Sequence, residues 1–340
     1  MKMTIRTILR ALLDRQTHEE EMKMTVRTIL RALFAWMLFC GLAQADSYPA
    51  RPVTIVVGFA AGGLADILAR AAADFARSKR GATVIVVNQP GAAATIATER
   101  VTRSAPDGYT LTLTSPSPIW VLPALQDVRY DPLRDLTYIA QLITQPLPLY
   151  VRTDSPFKTY EDVLAYARAN PGGFRWGTAG ARGFAEIVVG AGFSQEKVDT
   201  TTVPFKGGAE AVSALLGGHI EAVASTDFAP QLRAGKVRLL VETGPLKAPG
   251  HAHIKTYREL NYPISASVFY GLMGPAKLAP DVIQWWETLC RELTSSREFA
   301  ALIEAQAGLV SFQGYAEFSA AIRKGHAEFA SALAKQSVKQ

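Results

Sequence analysis

The chain has 340 residues, a formal net charge of +6 at pH 7, 49% hydrophobic residues and 19% charged residues. That composition excludes an acidic or low-complexity disordered chain and leaves room for one large or two ordinary domains. Its two cysteines, Cys40 and Cys290, exclude a disulfide framework and a four-cysteine zinc site.

The N-terminus contains a copy of itself. Residues 1–13 read MKMTIRTILRALL and residues 22–34 read MKMTVRTILRALF, with differences only at Ile5/Val26 and Leu13/Phe34. Two copies are too few for a solenoid. The second copy runs into the apolar stretch 32–42, with Lys23, Arg27 and Arg31 before it and Ala43-Gln44-Ala45 after it. A positive segment, a short apolar core and an A-x-A site make the pattern of a secretory signal peptide. The apolar core is shorter than the roughly 20 residues a bilayer-spanning helix needs. Bulky Phe39 before Cys40 disfavours a lipoprotein site. Residues 1–45 are therefore expected to be a duplicated start plus signal peptide, with natural translation from Met22 or Met24 and cleavage after Ala45. Export to the periplasm follows. Removal of residues 1–45 takes away 7 Lys+Arg and 4 Asp+Glu and leaves 29 basic against 26 acidic residues. No Lys/Arg-rich stripe with interleaved aromatics remains, so no nucleic-acid partner is expected.

The rest of the chain alternates strand and helix patterns. Val53 to Val57 is a β-branched run that ends at Gly58, followed by the small loop Phe59–Gly63 and an amphipathic helix over 65–78. A strand over 83–87 closes on Asn88-Gln89-Pro90-Gly91, a helix covers 95–104, and a strand covers 109–114. This is the βαβαβ unit of a doubly wound sheet. A second series begins near Leu147. It has strands at 149–151, 174–178, 201–203, 220–224 and 237–242, and helices over 160–170, from Phe184, and over 207–216. A late strand over 268–273 and helices over 281–294, 297–307 and 315–335 close the chain. The pattern predicts two α/β lobes joined by crossover strands: 46–147 with 268–340 as lobe 1, and 148–267 as lobe 2. A cleft between them would face the carboxyl ends of the strands.

Several linked stretches carry a resemblance. They include Tyr48-Pro49-x-Arg51-Pro52, Phe59 to Gly63 with Ala65-Asp66-Ile67-x-Ala69-Arg70, and Asn88-Gln89-Pro90-Gly91-Ala92. Ala105-Pro106-Asp107-Gly108-Tyr109, Tyr130-Asp131-Pro132, Val203 to Gly208, Leu215 to Gly218 and Ala234-Gly235-Lys236 follow in order. From about Tyr48 to the C-terminus the chain resembles the substrate-binding receptors of tripartite tricarboxylate transporters, the Bug-type extracytoplasmic solute receptors. The resemblance implies an α/β type II periplasmic-binding-protein fold, two Rossmann-like lobes joined by hinge strands. It implies a monomeric receptor that captures a small carboxylate (a di- or tricarboxylate, an amino acid or an aromatic acid) and passes it to membrane permease subunits. Two other functions stay open: a ligand sensor for a signalling partner, and an exported α/β enzyme that uses the glycine-rich loop.

The candidate ligand contacts follow. Phe59, Ala60, Ala61, Gly62, Gly63, Leu64 and Ala65 join a strand end to a helix start, where unpaired amides favour a carboxylate. The same loop also fits a generic βα turn; Ala61 stands where the family often has Pro. Asp66 either complements the helix dipole or, as the resemblance suggests, receives a ligand ammonium or hydroxyl. Ser115 and Ser117 follow the third strand. In lobe 2, Thr178, Ala179, Gly180, Ala181, Arg182 and Gly183 lead into a helix. There Arg182 replaces a family Gly and Gly183 a family Ser, so Arg182 either forks onto a second carboxylate or is an exposed loop residue. Phe205, with Lys206, precedes another strand-to-helix turn, and Asp227 is a polar contact near the hinge. No cofactor and no metal is expected. Gly58, Gly62 and Gly63 do not make G-x-G-x-x-G, and Gly235-Lys236 runs into Val237, which is no phosphate loop. His251 and His253 lie in a Pro/Gly loop, and Cys290 fits a buried inert thiol.

Overall fold

The computed structural model describes residues 22, 24–30 and 48–337. The apolar core of the expected signal peptide, Cys40 and the cleavage site therefore lie outside the described residues. The chain divides into two compact units, residues 1–47 and 48–340. In the first, residues 24–30 are helical and exposed. All that follows concerns the second.

The opening β-branched run forms β1 (Val53–Val57), with Val53, Ile55, Val56 and Val57 fully buried. It turns through Gly58–Gly63 into α1 (Leu64–Arg80), where Gly62 adopts φ +82°, a conformation that favours glycine. The helix buries Leu64, Ala65, Leu68, Ala69, Ala72 and Ala76, a stripe at helical spacing. It stops at Gly81, which is left-handed and donates its N–H to the Arg77 carbonyl at 3.0 Å. β2 (Val84–Asn88), α2 (Thr95–Thr102) and β3 (Thr110–Thr114) complete a parallel unit around β1.

A short helix α3 (Leu122–Leu125) leads into β4 (Leu136–Gln145), a strand the sequence pattern did not announce. Nine of its ten residues are buried, so both faces are covered. A strand packed on both sides lacks the polar–apolar alternation that marks one-sided strands. Also outside the sequence expectation is the short strand β11 (Leu309–Gln313), which pairs along the outer side of β4.

The chain then builds a second sheet from β5 (Pro148–Arg152), β6 (Arg175–Ala179), β7 (Thr201–Phe205), β8 (Ala222–Ala224) and β9 (Val237–Glu242). Helices α4 (Tyr160–Ala169), α5 (Phe184–Gln195), α6 (Gly208–Leu216) and α7 (Ala229–Arg233) connect them. It returns through β10 (Val268–Pro275) to the first sheet and ends in α8 (Pro280–Thr294), α9 (Arg297–Ala305) and α10 (Tyr315–Ser337). The sheet orders are β11-β4-β10-β3-β1-β2 and β7-β6-β8-β5-β9. Each is mixed: in the first, β10 runs antiparallel to β3 and β4 and β11 antiparallel to β4, and in the second β5 runs antiparallel to β8 and β9.

The chain passes between the sheets twice, at Pro146-Leu147 and along 243–267. The crossings lie side by side. Thr243 donates its N–H to the Leu147 carbonyl at 3.1 Å, and Ala266 donates to the Thr243 carbonyl at 3.2 Å. This is the two-lobed α/β fold that the resemblance implied. Among the described residues no helix is long and apolar enough to cross a membrane.

Candidate functional site

Three helices meet the gap between the sheets with their N-termini, and all three begin in the same way. α1 follows Gly63, α5 follows Gly183 and α6 follows Gly207, each glycine extended and none supplying a side-chain cap. α4, elsewhere in the second lobe, has a full capping box from Thr159 and Asp162. The three glycine-capped ends leave amide groups without an intrahelical partner. They line one cavity through Gly63, Leu64, Phe184, Ala185, Gly207 and Gly208.

In this state the lobes supply each other's missing caps. Leu64 of α1 donates its N–H to Asp227 Oδ1 of the second lobe at 2.8 Å. Phe184 of α5 donates its N–H to Ser117 Oγ of the first lobe at 3.0 Å. Ala60 donates to the Lys206 carbonyl at 3.4 Å, and the Phe184 ring stacks on Phe329 with centroids 5.7 Å apart. Asp227 Oδ2 lies where a β-carbon on Gly208 would sit, so its carboxylate stands between the starts of α1 and α6. Burial pushes the Asp227 carboxyl up to about 6, against the pull of the Leu64 N–H.

The floor of the cavity is hydroxyl-rich. Tyr270 OH and Thr226 Oγ1 lie 2.9 Å apart across the lobes, Tyr150 OH and Ser225 Oγ 2.7 Å apart, and Ser225 Oγ accepts the Asp227 N–H at 3.2 Å. Among the described residues, Asp227 is the one charged residue in the lining, and no Lys or Arg reaches it.

The sequence-predicted residues divide. Phe59, Ala60, Gly63, Leu64 and Ala65 line the cavity, as do Ser115, Ser117, Ala179 and Asp227. Ala61 and Gly62 sit on the exposed outer part of the loop. Asp66 is buried beneath it. There it accepts the Gly62 N–H at 3.0 Å and an Asn88 Nδ2 proton at 3.0 Å, and pairs with Arg70 at 2.9 Å. Burial alone would raise its carboxyl, but the bonds from Arg70, Gly62 and Asn88 outweigh it and hold the group below the usual carboxylate value. Asp66 thus braces the loop.

In the second lobe Thr178 is fully buried, its hydroxyl without a partner among the described residues. Gly180, at φ +83°, packs against Ala93 of the first lobe, and Gly183 caps α5. Ala181 and Arg182 are exposed and outside the lining. Arg182 sits at φ 54° and donates its backbone N–H to Glu186 at 2.6 Å. The Phe205 carbonyl accepts the Gly180 N–H at 2.8 Å, while its ring packs in the second lobe's core.

Sequence reasoning did not single out Leu147, Phe184, Ala224, Thr226, Val268 or Tyr270, all of which line the cavity. The glycine before a helix that follows a strand end was the signal for Phe184; nothing local marks Tyr270, which reaches the cleft from the crossover strand. His251 and His253 stand with ring centroids 5.9 Å apart, and the described residues hold no group of three potential metal ligands.

Comparisons with known proteins agree with this fold. Residues 68–319 match the tripartite tricarboxylate transporter family receptor. A UPF0065 protein from the gbd 5' region of Cupriavidus necator is 35% identical over 282 residues, 82% of this chain and 86% of that one. A solved periplasmic transporter superposes with a TM-score of 0.80 at 26% identity, covering 85% of this chain and 98% of its own. The structure of MatC from Rhodopseudomonas palustris with bound malate has the same fold, with a TM-score of 0.77 at 24% identity, over 84% and 99% of the two chains.

Proposed function

Because the chain belongs to the tripartite tricarboxylate transporter receptor family, we propose that it captures a small carboxylate between its lobes in the periplasm and delivers it to membrane permease subunits. Lobe 1 would comprise 46–147 with 268–340, and lobe 2 would comprise 148–267. They would turn as rigid bodies about the paired crossings at Leu147 and Thr243. The observation that carries this reading is the convergence of three glycine-capped helix N-termini on one cavity. Leu64, Phe184 and Gly208 amides are the donors proposed for ligand oxygens, with Ser115 and Ser117 beside them. MatC, of the same fold, holds malate.

A thermal-shift screen with mono-, di- and tricarboxylates, acidic amino acids and aromatic acids tests the proposal. A ligand at about 100 times its Kd stabilises the folded state by about 2.7 kcal/mol, a clear rise in melting temperature. Silence to every acid, with a response to nucleotides, would overturn it.

A further inference from the structure

We infer that Asp227 sets the ligand class of this site: it selects a carboxylate that carries an ammonium group, a zwitterion, over the plain carboxylate of the same skeleton. The inference rests on the receptor reading above and goes beyond it in naming what the second half of the ligand must be.

The charge inventory of the cavity carries it. Three helix starts offer partial positive charge, and among the described residues no cationic side chain lines the space. The one full charge there is the Asp227 carboxylate, at hydrogen-bond distance from the Leu64 amide and hard against Gly208. Arg182, the nearest sequence candidate for balancing a second ligand carboxylate, stands exposed outside the lining. Asp66, the other acidic candidate, is already committed to Arg70, Gly62 and Asn88.

A ligand carboxylate that takes the Leu64 amide must displace Asp227 from it. A plain carboxylate then leaves two anions side by side in a desolvated space, with one of them unpaired, an arrangement that is strongly unfavourable. A ligand with an ammonium next to its carboxylate solves both halves at once. Its carboxylate replaces Asp227 at Leu64, and its ammonium arrives beside the displaced Asp227 and pairs with it. Ser225, Thr226 and Tyr270 complete a neutral hydroxyl wall around the exchange. A dicarboxylate brings a further negative charge for which this lining has no cation.

Isothermal titration at pH 8 with skeleton-matched pairs is the test: alanine against propionate, glutamate against glutarate, and phenylalanine against 3-phenylpropionate, on the wild-type protein and on Asp227→Asn. In each pair that binds, the ammonium-bearing member is expected to bind wild type at least about tenfold tighter, and that preference is expected to vanish or invert in Asp227→Asn. Wild type that binds the plain member equally well or better overturns the inference, whatever the variant does. So does an Asp227→Asn protein that keeps the wild-type preference. If no member of any pair binds wild type, while other carboxylates do, the receptor reading stands and this inference fails; if no carboxylate binds at all, both fail.

Discussion

Asp227 and Leu64 lie 163 positions apart, yet the carboxylate of one caps the helix that begins at the other, at 2.8 Å. The relation is reciprocal, because Ser117 of the first lobe caps Phe184 of the second at 3.0 Å. Each lobe thus holds a side chain against the N-terminus of a partner-lobe helix, the place the proposed function gives to a ligand oxygen. The cavity left between them measures only about 50 Å³, room for a few water molecules.

The Ser117 cap gives the first prediction. A helix N-cap contributes about 1 kcal/mol, and here that energy is gained only when the lobes meet. Ser117→Ala should shift the empty protein toward an open form while leaving each lobe intact. Small-angle scattering of the ligand-free variant should give a larger radius of gyration than wild type, and saturating ligand should bring the two together. Identical scattering in the empty state would show that this cap does not hold the lobes.

Asp227 gives a pH signature. Its folded-state carboxyl stands near 6, above the ordinary 3.8, so the folded protein holds this proton more tightly than the unfolded chain does. Stability therefore falls as pH rises from about 4 to about 6 and is level above that. Asp227→Asn keeps an oxygen for the Leu64 amide and lacks the ionisation. Its melting temperature should match wild type near pH 4 and exceed it above pH 6, by about 2 kcal/mol, or several degrees at the usual 2–4 °C per kcal/mol. A difference that stays flat from pH 4 to 8 would contradict an Asp227 that ionises with a raised folded-state value.

Asp66 should behave in the opposite sense. Bonds from Arg70, Gly62 and Asn88 hold its carboxyl below the ordinary value, so its contribution is present above pH 4 and is lost as pH falls through its lowered folded-state value. Asp66→Ala breaks a hub that joins α1 to the loop and to β2. It should destabilise the protein by about 2–3 kcal/mol at pH 7, with the deficit shrinking toward pH 3. A variant with wild-type stability at pH 7 would assign the bracing of the loop to its backbone alone.

How much of this was legible in the sequence differs from residue to residue. The strand–glycine–helix stretch from Val53 to Arg80 reads directly, because β-branched residues, Gly62 and an apolar stripe each report a local backbone state. β4 escaped because both its faces are covered, and double burial erases alternation. Asp66 and Asp227 could not be told apart as ligand contacts. Asp66 is consumed by Arg70, four positions on, a pairing that helical spacing permits. The role of Asp227 depends on a contact with Leu64 that only the closed arrangement of two lobes creates. Tyr270 was legible as a strand residue and illegible as part of the cleft for the same reason.

Arg182 closes the set, because its backbone and its side chain make separate predictions. It holds φ 54°, a left-handed conformation that costs a non-glycine residue about 1 kcal/mol. Its side chain is exposed and outside the cavity lining, so Arg182→Gly relieves strain and sacrifices no packing. The variant should gain about 0.5–1 kcal/mol, a rise of a few degrees in melting temperature. Its affinity for whichever carboxylate the wild type binds should stay within about threefold, less than 1 kcal/mol. Arg182→Ala, which keeps the strain, should leave affinity equally untouched without the gain in stability. A tenfold loss of affinity in both variants would instead mean that the guanidinium swings into the cleft when ligand arrives, and would give the second lobe a cation that its lining lacks in the empty protein.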